Sequence, residues 1–265
     1  MDLQLSGKRA IVTGGSAGIG FEVARRLAAE GVDTVVCSRD LGRAQRAISD
    51  MSSDGPGRLV PAQVELRDVD SIDALVARSV AEIGGVDILV NSGAEVSGNV
   101  PEDLEHITDE FILRGFEDKF LGILRMVRAV APHMRANGFG RIVNMAGHTA
   151  REAGSIGAGA RNAAVANLTK ALSMELGRDG ITVNAIDPFT TVTKGFESRL
   201  AKMAARRGRT PDEHLAKISA RNSIGRLVTA EELAAFIAFL VSPLSVALTG
   251  EVVALTGGVG ESVYL

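Results

Sequence analysis

Between positions 13 and 20 the chain reads Thr13-Gly14-Gly15-Ser16-Ala17-Gly18-Ile19-Gly20. A short apolar run, Arg9-Ala10-Ile11-Val12, precedes it, and apolar Phe21, Val23, Ala24, Leu27 and Ala28 follow at helical spacing. A strand that runs through glycines into a helix exposes backbone N–H groups at a helix N-terminus, where the peptide dipoles favour an anion. The chemistry on offer is diphosphate binding. Gly14 permits the tight turn, Gly18 lets backbone approach a phosphate, and Gly20 lets helix and strand pack closely. Ser16 and Ile19 are further candidate contacts in the same turn. A glycine-rich loop without a ligand is the alternative reading; the strand–turn–helix context favours binding.

Such a turn needs a sheet behind it. Short apolar runs at 9–12, 34–37, 59–64, 86–90, 141–145, 181–186 and 251–255 read as strands. Helical spacing covers 21–30, 43–51, 69–83, 108–116, 116–137, 159–176 and 230–241, and a polar helical insert covers 196–219. Continuous apolar strands alternating with amphipathic helices predict a parallel sheet covered on both faces. No linker, repeat or low-complexity tract interrupts the pattern. The expectation is an α/β, three-layer, Rossmann-type doubly wound parallel sheet of about seven strands, as one domain over 1–265.

The 265 residues are 46% hydrophobic and 23% charged, a globular profile that excludes fibrous and disordered classes. A net charge of -3 without a basic run argues against nucleic acid and anionic membrane as partners. No apolar run reaches the length of a membrane helix. The first residues lack a basic-then-apolar signal, so the expected location is cytoplasmic. Cys37 is the single cysteine, which leaves no intrachain disulfide and no multi-cysteine metal site; no metal is expected.

Several further segments match one family. The glycine turn resembles the T-G-x-x-x-G-x-G of the short-chain dehydrogenases/reductases through Thr13, Gly14, Gly18 and Gly20. Leu89-Val90-Asn91-Ser92-Gly93-Ala94 is similar to the family's L-V-N-N-A-G. Val183-Asn184-Ala185-Ile186-Asp187-Pro188 resembles its V-N-x-x-x-P-G, with Phe189 in place of the glycine. Gly225-Arg226-Leu227, Glu231-Glu232 and the glycines from Thr249-Gly250 to Gly257-Gly258 resemble its C-terminal segment. The resemblance covers essentially the whole chain. It implies a nicotinamide-dependent oxidoreductase acting on a small molecule, a homodimer or homotetramer, and a substrate lid over 194–222.

For the cofactor, Ser38 stands where NAD enzymes of this type carry an acid, and Arg39 follows with a planar fork suited to a phosphate. That favours NADP(H) over NAD(H); a surface Arg39 paired with Asp40 is the alternative. The resemblance puts Glu65 and Leu66 beside the adenine, Asn91 and Gly93 at the adenine ribose, and Thr193 at the carboxamide or diphosphate end, with Pro188 a further cofactor-binding candidate.

The family's catalytic positions are all changed. Its Tyr falls at Ala158, its Lys at Asn162, its Ser at Gly147 and its Asn at Lys119. The sole tyrosine, Tyr264, lies at the far end of the sequence; its reaching a neighbouring subunit's site is a remote alternative. The cation and the amide have exchanged positions, which makes Lys119 and Asn162 candidate catalytic residues, with Lys119 as proton donor. His148 is the rival donor, because its ionisation lies near neutrality. Ser155 and Thr149 can supply hydroxyls. Against these roles stand plainer ones: Lys119 in a salt bridge with Glu117 or Asp118, His148 at a strand end, and Ser155 as a helix cap. The expected reaction interconverts a carbonyl and an alcohol. A nucleotide-binding sensor or scaffold without hydride transfer, or a lyase or isomerase reusing the pocket, is the alternative.

Overall fold

The computed structural model describes residues 1–51, 55–93, 104–152 and 155–261. Tyr264 and Ala94 lie outside them. In chain order the elements are β1 (Arg9–Thr13), α1 (Gly18–Ala29), β2 (Asp33–Ser38), α2 (Leu41–Met51), β3 (Leu59–Gln63), α3 (Val69–Ile83) and β4 (Ile88–Asn91). There follow α4 (Asp109–Phe116), α5 (Gly122–Asn137), β5 (Gly140–Met145), α6 (Ile156–Leu176), β6 (Ile181–Pro188) and β7 (Thr191–Val192). The last are α7 (Phe196–Arg206), α8 (Pro211–Ser219), β8 (Val228–Thr229), α9 (Ala230–Leu240) and β9 (Val252–Leu255).

Seven strands form one parallel sheet in the order β3-β2-β1-β4-β5-β6-β9. Alternation along β1 shows why it is covered twice. Ile11 packs with Ile72 and Leu75 of α3, Met126 and Val130 of α5, and Leu168 and Leu172 of α6. Its neighbours Ala10 and Val12 pack on the other face with Val23 and Leu27 of α1, Met51 of α2, and Leu233 and Ile237 of α9. Successive side chains point to opposite faces of a strand, so strands apolar at every position fit only a three-layer sandwich.

The order reverses between β1 and β4, both of whose C-terminal ends open on the same edge. A doubly wound sheet leaves its crevice at that switch point. Helix ends are set locally: Asp68 caps α3 by accepting from the Asp70 N–H, and Gly84 ends it in the left-handed region at φ 82°.

Three details depart from the sequence reading. The insert at 196–219 is two helices rather than one, because Gly208 turns left-handed at φ 60° and Thr210 then caps α8 ahead of Pro211. The two-residue strands β7 and β8 pair with each other in a separate small sheet. Between α4 and α5 the helix widens into a π-helical turn over Glu117–Leu121. Such turns interrupt the regular ladder and are frequent at functional sites.

Candidate functional site

A cavity of about 780 Å³ opens at the C-terminal ends of β1, β2, β4, β5 and β6. From the sequence candidates it draws in Thr13, Gly14, Ser16, Gly18 and Ile19 of the first turn, Ser38 and Arg39, Glu65 and Leu66, Asn91 and Gly93, Lys119, Pro188 and Thr193. Gly20 does not line it. A Cβ at Gly20 would come within 2.5 Å of the Gly14 carbonyl oxygen, so this glycine serves packing. Gly14 sits at φ 65°, and its Cβ would meet the Gly93 backbone at 2.7 Å. Gly18, at φ 59°, has open space on that side.

The cavity suits a dinucleotide on its own chemistry. Helix α1 has no side-chain cap and no acid in its first turn, so its leading N–H groups have no competitor for an anion. Asn91 donates to Asn144 Oδ1 at 2.9 Å, while its own Oδ1 is buried in the cavity wall without a partner among the described residues. A buried polar atom of this kind asks for a ligand group. At the far end Ser38 is buried and Arg39 stands beside Glu65, whose carboxyl is held below its usual range first by Arg67 and more weakly by Arg39.

Lys119 is the ionisable group at the other end. The π-helical turn carries it inward, and only 7% of its surface is exposed. Its Nζ donates to the Ala146 carbonyl oxygen at 2.5 Å and to Asn162 Oδ1 at 2.7 Å. Asn162 in turn donates through Nδ2 to Thr149 Oγ1 at 2.8 Å. Gly147 makes this possible, because a Cβ there would lie 2.5 Å from Asn162 Nδ2. The acids flanking Lys119 are engaged elsewhere: Asp118 lies 3.4 Å from Arg67, and Glu117 lies 3.7 Å from Arg125. Burial pushes the Lys119 ammonium down to about 7; nearby Arg161 adds to the shift and Asp187 opposes it.

The other three catalytic candidates do not line the cavity, and Asn162 reaches its wall only through Lys119. His148 is buried behind it, with Nδ1 3.5 Å from Asp187 Oδ2 and Nε2 3.5 Å from Glu152 Oε2. Its ring meets Phe189 edge-on, with centroids 5.6 Å apart. Ser155 caps α6, its Oγ accepting from the Ala158 N–H at 3.4 Å. Ser155 thus stands at the cap position weighed for it, while His148 sits in the 3-10 turn His148–Ala150 beyond the end of β5. Asp187 is a charged residue the sequence reading passed over: it is fully buried at the end of β6. The sign was an acid at the close of the apolar run 181–186, immediately before Pro188.

Together these features define a Rossmann-type crevice with a lysine-bearing wall. The family model described as enoyl-(acyl carrier protein) reductase matches residues 14–260. A putative ketoacyl reductase from Streptomyces coelicolor is 35% identical over 260 residues, covering 95% of this chain and 97% of that protein. The 3-oxoacyl-[acyl-carrier-protein] reductase of Vibrio cholerae is 33% identical, covering 97% and 98%. Among solved structures, L-sorbose reductase from Gluconobacter frateurii with NADPH and L-sorbose superimposes at a TM-score of 0.90 with 28% identity, covering 99% of this chain and 100% of that one. Actinorhodin polyketide ketoreductase with NADPH gives 0.87 and 32%, covering 99% and 100%. The chain belongs to the short-chain dehydrogenase/reductase family, and its fold is that family's NAD(P)-binding fold. No described helix is long and apolar enough to cross a membrane, and no cluster of three metal-ligating side chains occurs among the described residues.

Proposed function

We propose that this protein is an NADP(H)-dependent oxidoreductase that interconverts a carbonyl and an alcohol, with Lys119 exchanging the proton. The observation that carries the reading is the pair of hydrogen bonds from Lys119 Nζ to Ala146 and Asn162 at the cavity wall. A neutral amine has two N–H bonds, and both are used. The remaining tetrahedral direction holds a lone pair when Lys119 is neutral and a third N–H when it is charged. In the reducing direction the ammonium donates that proton to the nascent alkoxide; in the oxidising direction the amine accepts it from the alcohol. An ionisation near neutrality suits both.

A bound nicotinamide nucleotide supplies or takes up the hydride. The first-turn N–H groups with Ser16 would hold the diphosphate, Ser38 and Arg39 the 2′-phosphate, Glu65 and Leu66 the adenine, and Asn91 and Gly93 the ribose. Pro188 and Thr193 would hold the carboxamide end. Phe196, Arg199 and Met203 of α7 also face the cavity, which supports a substrate-covering role for 194–222. The ketoacyl reductases among the relatives point to a keto group as the reacting function. Exposed Leu113, Ile156 and Met174 on α4 and α6 offer apolar surface for a homodimer or homotetramer. The proposed setting is cytoplasmic.

Ala158 at the family's tyrosine position favours a second reading, a nucleotide-binding sensor or scaffold without turnover. Lys119→Ala separates the two readings. The variant is expected to lose turnover while keeping its NADPH affinity; unchanged turnover would sink the assignment. His148→Ala, by contrast, is expected to leave the proton step in place.

A further inference from the structure

Asp187 is a buried acid that the proposed reaction does not use. It follows Ile186, whose carbonyl accepts from the Ala146 N–H at 2.8 Å, and the Ala146 carbonyl receives Lys119 Nζ at 2.5 Å. The end of β6 is therefore one strand away from the lysine. Asp187 is 0% exposed, and neither carboxylate oxygen has a hydrogen-bond partner among the described residues. Two groups lie at ion-pair distance from Oδ2: the Arg151 guanidinium, with Nε at 3.3 Å, and the His148 ring, with Nδ1 at 3.5 Å. His148 leads outward to Glu152, and Arg221 grips Glu152 at 2.6 Å.

An uncompensated carboxylate in such a place is costly, and it persists where the charges around it hold it. Burial raises the Asp187 carboxyl above the usual carboxylate range, and His148, Arg151 and Lys119 work against that rise. Among the described residues, the same acid is the charged group that favours the ammonium form of Lys119 against burial and Arg161. Arg161 itself is answered by Asp118.

We propose that Asp187 is a positioning residue whose negative charge holds the ammonium form of Lys119 at the cavity wall, setting the pH at which the lysine changes from proton donor to proton acceptor. This rests on Lys119 as the proton-exchanging group. Removing the negative charge makes the neutral amine easier to form. The two directions of the reaction then respond with opposite sign: carbonyl reduction near neutral pH slows, and alcohol oxidation below neutral pH speeds up. A structural defect would slow both.

The test follows the Lys119 side chain directly, by the pH dependence of its ¹³Cε resonance in lysine-labelled protein, with Lys119→Gln assigning the signal. Asp187→Asn is expected to move the midpoint down, the direction set by removing an opposite charge from the lysine's surroundings. Arg161→Met is expected to move it up. A midpoint unmoved by Asp187→Asn overturns the proposal. Should that variant fail to fold, the wild-type protein carries the test through carboxyl-labelled aspartate. One buried carboxyl resonance should show an inflection at the Lys119 midpoint that vanishes in Lys119→Gln; its absence also overturns the proposal. These readouts do not require turnover. A shifted midpoint with turnover unaffected by Lys119→Ala would leave the electrostatic pairing standing and remove the catalytic assignment.

Discussion

Lys119 Nζ lies 2.7 Å from Asn162 Oδ1, so two residues 43 positions apart, on the π-helical turn and on α6, act as one unit. On the resemblance read from the sequence, the amide stands at the position of the family's lysine and the cation at that of its asparagine. The exchange is coherent at the atomic level. Gly147 vacates the space that Asn162 enters, and Thr149 holds the other end of the amide.

That coherence predicts an epistatic pair. Gly147→Ser puts a Cβ into Asn162 and should destabilise the fold by about 1–3 kcal/mol, the usual cost of overpacking. Asn162→Ala alone should also destabilise, by leaving Lys119 short of an acceptor. Denaturant titrations of the double variant should show less loss than the two single losses added together. Simple additivity would mean that Gly147 and Asn162 are independent.

Arg39 should set nucleotide choice. Titration of the purified protein with NADPH and NADH, read from nucleotide fluorescence without tryptophan interference, is expected to show tighter NADPH binding. Arg39→Ala should weaken NADPH by roughly tenfold or more, the worth of a charge-assisted contact to phosphate, and leave NADH nearly unchanged. Equal losses for the two nucleotides would remove the 2′-phosphate role.

The ionisation of Lys119 also predicts a stability profile. Its folded value is about 7 against an ordinary 10.5, so from about pH 7 to 10.5 the unfolded chain binds more protons than the folded one. Stability from this group therefore rises with pH across that window, with a slope approaching ~1.4 kcal/mol per unit in its middle. Below it both states are protonated and the burial penalty is felt in full. Lys119→Met should remove the slope, so the unfolding free energy of wild type should rise relative to that of the variant as pH goes from 7 to 9. A pH-independent difference in unfolding free energy would contradict the depressed ionisation.

The sheet was readable because its strands are short apolar runs bounded by glycines and helices, and β1 with its turn is the clearest case. The glycine-turn end of the cavity was readable for the same reason, because glycines mark the backbone geometry that lines it. The Lys119 end was only half readable. Residue type and position singled out Lys119 and His148 equally. What separates them is a widening of the helix at Glu117–Leu121, and that sequence has an ordinary helical composition. Asp187 was hidden by a different cause. It closes an apolar strand, and the charges that face it come from Lys119, His148 and Arg151, remote in sequence from β6. The break in the insert, by contrast, was marked by Gly208 and by Thr210-Pro211, the turn and cap that separate α7 from α8.

The most direct test of the central claim is the pH profile of NADPH oxidation by wild type and Lys119→Gln, with an acetoacetyl thioester and L-sorbose as carbonyl probes. Wild-type reduction is expected to fall as pH rises through about 7, where Lys119 loses its proton. In Lys119→Gln, turnover should fall by about 10²–10⁴-fold and that break should disappear, with NADPH affinity kept. Full activity in the glutamine variant, or no oxidation by wild type that binds NADPH, would contradict it.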